Sequence, residues 1–595
     1  MPDFDAPDLV QARHDGHLSR RSFVQCVTAM GISGGATILG KSALAQPATP
    51  TRPALSPGAT RSINREDYLA AVQWAFPFEP PRARGGHVVQ AVAADIATLN
   101  PVVAVDGFSA MVNSNLFSTI DKPSVIDGSW APDLTDSWDI SSDGTVYTFH
   151  LNHDARWHDG VPLTAHDCIC TLDAVLDESG LSAVRSDVAE VVKSYQAIDD
   201  HTLELVAQRP VADLLDKSVG GLSIVPRHIW ASTPYAEWGA ASGATGSDPA
   251  QVIGSGPFRF GEWVRGDHVS ILRNDDYWVA ALVPVIDRFT LQVLPDAHAA
   301  VQSLMVGETD ICSVPVGQYA SLRADRPEFT YVIYDNLGWA SFTMNGDSER
   351  GSFFTDPRVR QAMLYALDRN QIIQHILNGM AVRADGIYPP ASYAYAPVRV
   401  TTIYNHDPVR ARSLLDAAGW IDDGDGVRRK DGVIFRREIL YGDAGPFGQQ
   451  IVTYLQQAWR EIGVDVRTMS VPFPVRVERE TTGEFEIVLH GWGGVGDDLG
   501  ILYRCDAFPP HGYNIARICN PEFDRLNNES IFELDPDKRR ELLIEQGNVV
   551  NDSAHSGLLH FTKTVLAAQP RVRNVHANAY QGIWSHHWMW LAEGG

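Results

Sequence analysis

Strand and helix signals alternate in the second half of the chain. Residues 433–440 form an apolar run of strand length, and apolar side chains then recur at helical spacing over residues 451–462. Two further strand-like runs follow, at 464–469 and 485–489. This order of strand, helix and strand predicts a βαβ arrangement and hence an α/β lobe.

The last of these strands leads directly into a glycine-rich turn. Residues 486–498 read Glu-Ile-Val-Leu-His-Gly-Trp-Gly-Gly-Val-Gly-Asp-Asp, so four glycines, one indole and two carboxylates accompany the apolar run. Glycine lets the backbone approach a ligand closely, and ligands in open α/β sheets bind beyond the carboxyl ends of the strands. The turn therefore predicts a ligand platform around Trp492; the alternative is that the indole fills a crevice.

The length and charge of the chain limit its architecture and its partners. A chain of 595 residues exceeds what one hydrophobic core normally supports, so we expect two or more lobes. The net charge of −25 argues against nucleic acid and against anionic membrane surfaces as partners.

The N-terminus carries the pattern of an export signal. Residues 19–24 read Ser-Arg-Arg-Ser-Phe-Val, a weakly apolar stretch follows to Leu39, and Ala-Leu-Ala stands at 43–45. We predict a twin-arginine signal peptide over residues 1–45, cleavage after Ala45 and a bacterial periplasmic location. The apolar run is too short and too mild to span a membrane, so we expect no membrane insertion.

The cysteine pattern fits an oxidising compartment. Cys26 precedes most of the apolar run of the signal, which argues against a lipid anchor. The mature chain keeps five cysteines, an odd number that leaves at least one thiol unpaired. They are Cys168, Cys170, Cys312, Cys505 and Cys519. We predict a disulfide between Cys505 and Cys519, which would enclose a short loop rich in proline and stabilise the fold by ~3 kcal/mol.

Folded structure is expected to begin after a tether. Residues 46–86 start with a Pro/Ala/Thr-rich stretch and form a linker with an N-terminal extension. A strand is predicted at 87–92, and residues 146–151 alternate as a strand does. In the second half, four helix starts combine a capping side chain with proline at the first helical position. They are Asp356-Pro357, Asp407-Pro408, Asn520-Pro521 and Asp535-Pro536.

About ten short motifs follow one another over residues 87–590. They include 98–101, 131–138, 143–151, 157–160, 253–258, 273–278, 359–362, 366–369, 404–420 and 520–524. In this order, they resemble the large solute-binding proteins of bacterial ABC importers, the family of dipeptide-, oligopeptide- and nickel-binding proteins (extracellular solute-binding protein family 5). The motifs are mostly structural, so they point to the fold and leave the ligand open.

The resemblance implies an α/β, two-lobed periplasmic binding protein fold of the large, cluster C type, with a cleft between the lobes. By analogy we place the crossovers near 335–343 and 560–566. Lobe I is then 87–338 with 563–595 returning to it, and lobe II is 339–562. The ligand is expected to stabilise the closed arrangement through its higher affinity for that form.

The resemblance also suggests ligand-binding residues. Trp339 follows the first crossover and Trp492 lies in the glycine-rich turn; an indole offers a large apolar face that also attracts cations. Core packing is the alternative for Trp339. Asp106, Phe108 and Ser109 belong to a segment that lines the cleft in relatives.

The sequence departs from the peptide-binding relatives at two places. Gly493 and Val495 are further candidate ligand-binding residues of the turn. Val495 stands where those relatives have the aspartate that pairs with the peptide α-ammonium group, and the next carboxylates, Asp497 and Asp498, are candidates as well. The dipeptide-binding relatives also use an arginine to bind the peptide carboxylate. Asp443, another candidate ligand-binding residue, stands at the position of that arginine. Because an unpaired buried ammonium costs several kcal/mol, these departures disfavour an ordinary free dipeptide.

From these observations we expect a periplasmic solute-binding receptor that captures a small organic solute by lobe closure and delivers it to an ABC importer. The solute would be a modified peptide, a sugar-containing compound or an amine-bearing metabolite. The alternative is a conventional di- or oligopeptide-binding protein that uses Asp497 or Asp498 for the ammonium group. A periplasmic chaperone or hydrolase on the same scaffold is a further rival. We expect a monomer whose partners are the small-molecule ligand and the importer's membrane subunits.

We expect neither catalysis nor a metal or other cofactor. Residues 157–160, Trp-His-Asp-Gly, could suggest an acid/base pair, but the family analogy makes them a turn. Residues 422–426 resemble a calcium loop, yet Ile421 occupies the first ligand position and Gly432 stands where a bidentate Glu is needed. A hairpin turn is predicted there instead.

Overall fold

A computed structural model describes most of the chain after residue 59. The described residues are 60–62, 64–104, 106–126, 128–178, 182, 184–211, 214–215, 219–347, 353–442, 446–493, 496–509 and 512–592. Three predictions lie outside them: the signal peptide at 1–45, Asp443 and Val495.

The chain divides into two compact units. Unit 1 comprises Met1–Ile333, Leu534–Pro536 and Val565–Gly595, and unit 2 comprises Tyr334–Glu533 and Asp537–Thr564. The chain therefore passes from unit 1 to unit 2 and returns near its end. The lobe limits given above, 87–338 with 563–595 and 339–562, stay a prediction.

Unit 1 contains two sheets. In the first, the strands follow the order Phe258–Val264, His268–Arg273, Arg288–Val293, His87–Val92, Ile311–Ser313 and the last residues of Gly557–Ala568. His87–Val92 pairs in parallel with both of its neighbours. The second sheet is antiparallel, in the order Thr60–Ser62, Thr135–Ile140, Val146–Leu151, Thr202–Ala207, Val192–Asp199.

The helices of unit 1 pack around these sheets. They are Arg65–Ala75, Gly107–Leu116, Ala165–Leu176, Arg185–Val191, Arg227–Trp230, Ser242–Thr245, Ala297–Val306 and Val316–Asp325. Short strand pairs join Asp121–Pro123 to Trp130–Pro132, Val572–Arg573 to Trp590–Leu591, and Ala577–Asn578 to Gly582–Ile583. The extension helix Arg65–Ala75 buries Tyr68 and Val72 against Trp584, so part of the predicted N-terminal extension belongs to the folded unit.

Unit 2 contains a mixed sheet. Its strands follow the order Asp465–Val471, Arg436–Gly442, Ile487–Trp492, Trp339–Met344 and the first residues of Gly557–Ala568. The strand Ala381–Arg383 also pairs with Gly557–Ala568. A separate small sheet joins Ile421–Asp422, Arg428–Lys430 and Val433–Ile434.

The helices of unit 2 begin largely where the sequence predicts. They are Pro357–Tyr365, Arg369–Gln371, Pro408–Ala417, Pro446–Glu461, Phe473–Thr482, Gly500–Tyr503, Pro521–Phe532 and Pro536–Asp552. The side chains of Asp356, Asp407 and Asn520 accept hydrogen bonds from backbone N–H groups of the first turn. The predicted capped starts with proline at the first helical position are confirmed at these three helices, and a helix also begins at Pro536.

The predicted disulfide also has a structural counterpart. A disulfide joins Cys505 to Cys519, whose Cα atoms are 4.5 Å apart, while Cys168, Cys170 and Cys312 are free and buried. Within the described part of the chain, no helix has both the length and the apolar character needed to cross a membrane.

Candidate functional site

Three parallel strands of unit 2 end at one edge of its sheet. Arg436–Gly442 pairs in parallel with Asp465–Val471 on one side and with Ile487–Trp492 on the other. Because parallel strands point the same way, the segments that follow Gly442, Val471 and Trp492 leave from the same edge. The glycine-rich turn therefore lies where α/β sheets bind ligands.

The two predicted indoles occupy opposed positions. Trp339 pairs with Trp492 in the antiparallel register of Trp339–Met344 and Ile487–Trp492. Trp339 is only 3% exposed and belongs to a hydrophobic cluster with Tyr388, Tyr393 and others. Trp492 is half-buried, packs against the edge of that cluster and of a second one, and so retains indole surface for a ligand.

Other aromatic rings extend the surface around Trp492. The ring of Tyr513, which is 52% exposed, lies 5.7 Å from the Trp492 ring, centroid to centroid. The imidazole of His490 lies 5.4 Å away, edge-on. A Cβ atom built on Gly493 would meet no atom of the described residues within 4 Å, so the side of Gly493 where a side chain would stand is open to an approaching group. The result is a half-exposed aromatic surface next to a glycine whose Cβ side is open.

His490 contributes to the packing of the sheet rather than to ligand binding. It is buried, and its Nε2 atom lies 2.7 Å from Thr343 Oγ1. Burial and, after it, the positive charge of Arg476 lower the pKa of His490 to about 3. The imidazole is therefore neutral at pH 7 and adds no charge to the site.

The two carboxylates of the turn have different surroundings. The Oδ1 atom of Asp497 accepts a hydrogen bond from the hydroxyl of Ser392, and the described residues provide Asp497 with no other hydrogen bond. The Oδ1 atom of Asp498 accepts from the backbone N–H of Gly500 at 2.9 Å and from Nδ2 of Asn527 at 2.8 Å. Asp498 thus stabilises the first turn of the short helix Gly500–Tyr503. The carboxylate of Asp497 can still accept hydrogen bonds from a ligand.

A loop that the sequence did not single out contacts Asp497. Ser392 is buried, and its Oγ atom also accepts from the backbone N–H of Ala394 at 3.0 Å. On the same loop, Tyr388 is buried, and burial, with the negative charge of Asp497 next in importance, raises its pKa well above the usual value. No sequence pattern linked this loop to the glycine-rich turn, because the contacting residues Ser392 and Asp497 are 105 positions apart.

The remaining predicted ligand residues lie in unit 1. Asp106 caps the helix Gly107–Leu116, accepting from the N–H groups of Phe108 at 3.0 Å and Ser109 at 2.8 Å. The hydroxyl of buried Ser109 donates to Asp106 and accepts from Ala97 N–H at 2.9 Å. The structure thus uses Asp106 and Ser109 to start a helix, while Phe108 is half-exposed. Their ligand contacts stay a prediction.

The residues of the turn include no set of metal ligands. Among the described residues of the whole chain, no group of three or more His, Cys, Asp and Glu side chains could hold a metal ion. The chemistry that unit 2 offers at this edge is an aromatic face and a carboxylate, which suits a ligand that carries a positive charge.

The fold and this site define a class of protein, the solute-binding proteins with two α/β lobes. The family described as "Bacterial extracellular solute-binding proteins, family 5 Middle" matches residues 129–505, and the chain belongs to this family. The predicted family is confirmed.

Relatives and a solved structure agree with this assignment. The chain is 26% identical over 456 residues to the oligopeptide-binding protein AppA of Bacillus subtilis, covering 75% of this chain and 81% of AppA. It is 29% identical over 457 residues to a putative ABC transporter peptide-binding protein of Brucella ovis, covering 74% and 80%. The solved structure of Bacillus subtilis AppA in complex with a nonapeptide matches with a TM-score of 0.76 at 23% identity, over 86% of this chain and 100% of AppA. The predicted α/β, two-lobed periplasmic binding protein fold is confirmed.

Proposed function

We propose that this solute-binding protein of an ABC importer is a receptor for peptides with a free α-ammonium group. The relatives reported above are named for oligopeptide or peptide binding, and AppA was solved with a nonapeptide. These names favour the alternative that the sequence left open, a conventional peptide receptor. The expectation of a modified peptide, a sugar-containing compound or an amine-bearing metabolite has less support.

The observation that carries the proposal is the difference between Asp497 and Asp498. An ammonium group has three N–H donors and needs a carboxylate when it leaves water. Asp498 is committed to Gly500 and Asn527. Asp497, five positions after the half-exposed Trp492, receives only the Ser392 hydroxyl from the described residues. We assign to Asp497 the role that the missing aspartate at Val495 has in peptide-binding relatives.

Calorimetric titration with a peptide library tests this proposal. Purified protein should bind unmodified peptides of three to nine residues saturably and lose affinity when their N-terminus is acetylated. Asp497→Asn keeps the shape of the side chain and should weaken binding at least about tenfold, because a charge-assisted hydrogen bond is lost. Asp423→Asn, in the exposed hairpin, removes one charge from the same unit and serves as the matched control.

Two outcomes would contradict the proposal in different ways. If no unmodified peptide binds while an amine-bearing or sugar-containing compound does, the original expectation about the ligand is correct. If peptides bind equally well to the wild type and to Asp497→Asn, the peptide assignment holds but Asp497 is not its anchor. Mass spectrometry of the peptides after incubation would reveal any hydrolysis and hence enzymatic activity.

We also propose that the protein reaches the periplasm by the twin-arginine route and is cleaved after Ala45. The pattern of residues 19–24 and the small residues at 43–45 support this. Exchange of Arg20 and Arg21 for lysine should leave the full-length precursor in the cytoplasm of a bacterial host, whereas the unaltered chain should appear periplasmic with Gln46 at its N-terminus. Export of the lysine variant at the normal rate would indicate a different route.

A further inference from the structure

Unit 2 contains a cavity of about 230 Å³ that the functions above do not use. Its walls come from the strand Ala381–Arg383, residues 385–400, the helix Pro536–Asp552 and the strand Gly557–Ala568. A dry apolar cavity of about 150 Å³ can hold a molecule of the size of benzene. The cavity in unit 2 therefore has room for a small organic molecule.

The cavity has an apolar body and a charged end. Ile387, Ile544 and Phe561 are among the side chains of the apolar walls, and all three are buried. Arg383 and Asp385 line the charged end. Apolar walls with a charged group at one end suit a ligand that has an apolar part and one polar head group.

The charged end carries an excess of positive charge. Asp385 is shared by two guanidinium groups: Arg369 donates to Oδ1 at 2.8 Å, and Arg383 donates to Oδ2 at 2.7 Å and 3.0 Å. One carboxylate cannot neutralise two arginines. Arg369 is fully enclosed, with 2% of its side chain exposed, whereas Arg383 keeps 27% exposed and is the arginine that reaches the cavity.

Two phenol groups also line the cavity. The hydroxyl group of Tyr388, which is 6% exposed, forms no hydrogen bond with any described residue, and Tyr395 is half-buried. A buried hydroxyl without a partner is costly, and such groups in native proteins usually meet a ligand or a water molecule. Burial and the nearby carboxylates of Asp385 and Asp335 raise the pKa of Tyr395, so its hydroxyl stays a donor.

We propose that this cavity binds a small organic carboxylate. The apolar part would lie among Ile387, Ile544 and Phe561, and the carboxylate would accept hydrogen bonds from Arg383 and Tyr395. The carboxylate could belong to a free organic acid or to a larger solute that the protein carries. The proposal can be tested separately from the peptide proposal, since Arg383 and Tyr395 are not among the residues assigned to the peptide site.

Benzoate is a suitable probe, with benzamide and benzylamine as neutral and cationic controls of the same shape. Saturation-transfer NMR and calorimetry on the mature protein should show benzoate binding with a dissociation constant of roughly millimolar order. Arg383→Gln should weaken it at least about tenfold, since a charged donor is lost, and the fold should persist because Asp385 keeps Arg369. Ala396→Leu, which fills the cavity, should abolish binding.

Arg429→Gln is the matched control, because it removes one positive charge from an exposed hairpin of the same unit. Its benzoate affinity should equal that of the wild type. Equal affinity for benzoate, benzamide and benzylamine, no binding of benzoate, or binding that survives both Arg383→Gln and Ala396→Leu would overturn the proposal.

Mass spectrometry of small molecules released from the native protein separates the two sources of the carboxylate. A free acid that is enriched on the wild type and absent from Arg383→Gln indicates a separate organic acid. A larger carboxylate-bearing solute with the same dependence indicates the transported ligand itself. Identical small-molecule profiles of the two proteins would contradict the cavity as a natural carboxylate site.

Discussion

Trp339 and Trp492 stand directly opposite each other on neighbouring antiparallel strands, yet the structure buries the first and leaves the second half-exposed. The difference follows from their neighbours. Trp339 lies within the cluster that also holds Tyr388 and Phe561, whereas Trp492 is the last residue of its strand and its ring reaches towards Tyr513. The same residue type therefore serves the core at one position and the candidate site at the other.

Alanine substitutions should separate these two roles. Trp339→Ala leaves a cavity in the core and should lower the free energy of unfolding by about 3–5 kcal/mol. Trp492→Ala should cost less stability but weaken peptide binding about tenfold or more, because the ligand loses its aromatic face. Urea denaturation and calorimetric titration of both variants check this. An equal loss of stability in the two variants would mean that Trp492 also serves the core.

The general architecture was accessible from the sequence because its signals are local. Apolar periodicity between residues 433 and 489 predicted strands and a helix that the structure contains, with Arg436–Gly442, Pro446–Glu461 and Asp465–Val471 following in order. The proline after Asp356 is also a local signal, and it correctly predicted the start of a helix. Each of these features depends on residues a few positions apart.

The details of the site depend on contacts between distant segments, which no local pattern encodes. Asp497 and Asp498 are chemically identical neighbours, and only the partners Ser392 and Asn527 distinguish them. The burial of Trp339 likewise results from packing against segments far away in the sequence. Residue type and spacing could thus identify the turn but could not assign separate roles within it.

Asp498 should matter more for stability than Asp497. Asp498→Ala removes the hydrogen bonds to Gly500 N–H and to the buried Asn527 amide, and should lower the free energy of unfolding by about 1–3 kcal/mol. Asp497→Ala removes one contact, to Ser392, and should cost less. Parallel urea titrations measure the difference. The reverse order of stabilities would place the structural role on Asp497.

Reduction of the disulfide should destabilise the segment that it closes. Cys505 and Cys519 are 14 residues apart, and a bridge across a loop of this length stabilises by ~3 kcal/mol in the chain-entropy model. A reducing agent should therefore lower the thermal midpoint of the wild type. It should have no effect on a variant with serine at both positions. The three other cysteines are buried and free, so a drop of equal size in the serine variant would point to reductant effects unrelated to the bridge.

Buried histidines should make the protein sensitive to mild acid. Burial lowers the pKa of His560 to about 4 and of His490 to about 3, from an ordinary value of 6.5. Between pH 6.5 and about 4, the unfolded chain therefore binds protons at these positions that the folded chain does not. The contribution of these neutral histidines to the free energy of unfolding is fully present above pH 6.5. It decreases as the pH falls through this range, by up to about 1.4 kcal/mol per pH unit for each such histidine.

His560→Gln tests the histidine contribution, since glutamine cannot titrate. The variant pays a constant cost for the changed packing, so the informative quantity is the slope of unfolding free energy against pH, measured by urea denaturation between pH 6.5 and 5. That slope should be shallower in His560→Gln than in the wild type by roughly 1 kcal/mol per pH unit. His406→Gln, at an exposed position, should leave the slope unchanged. Equal slopes in all three proteins would show that His560 accepts a proton in the folded state as readily as in the unfolded chain.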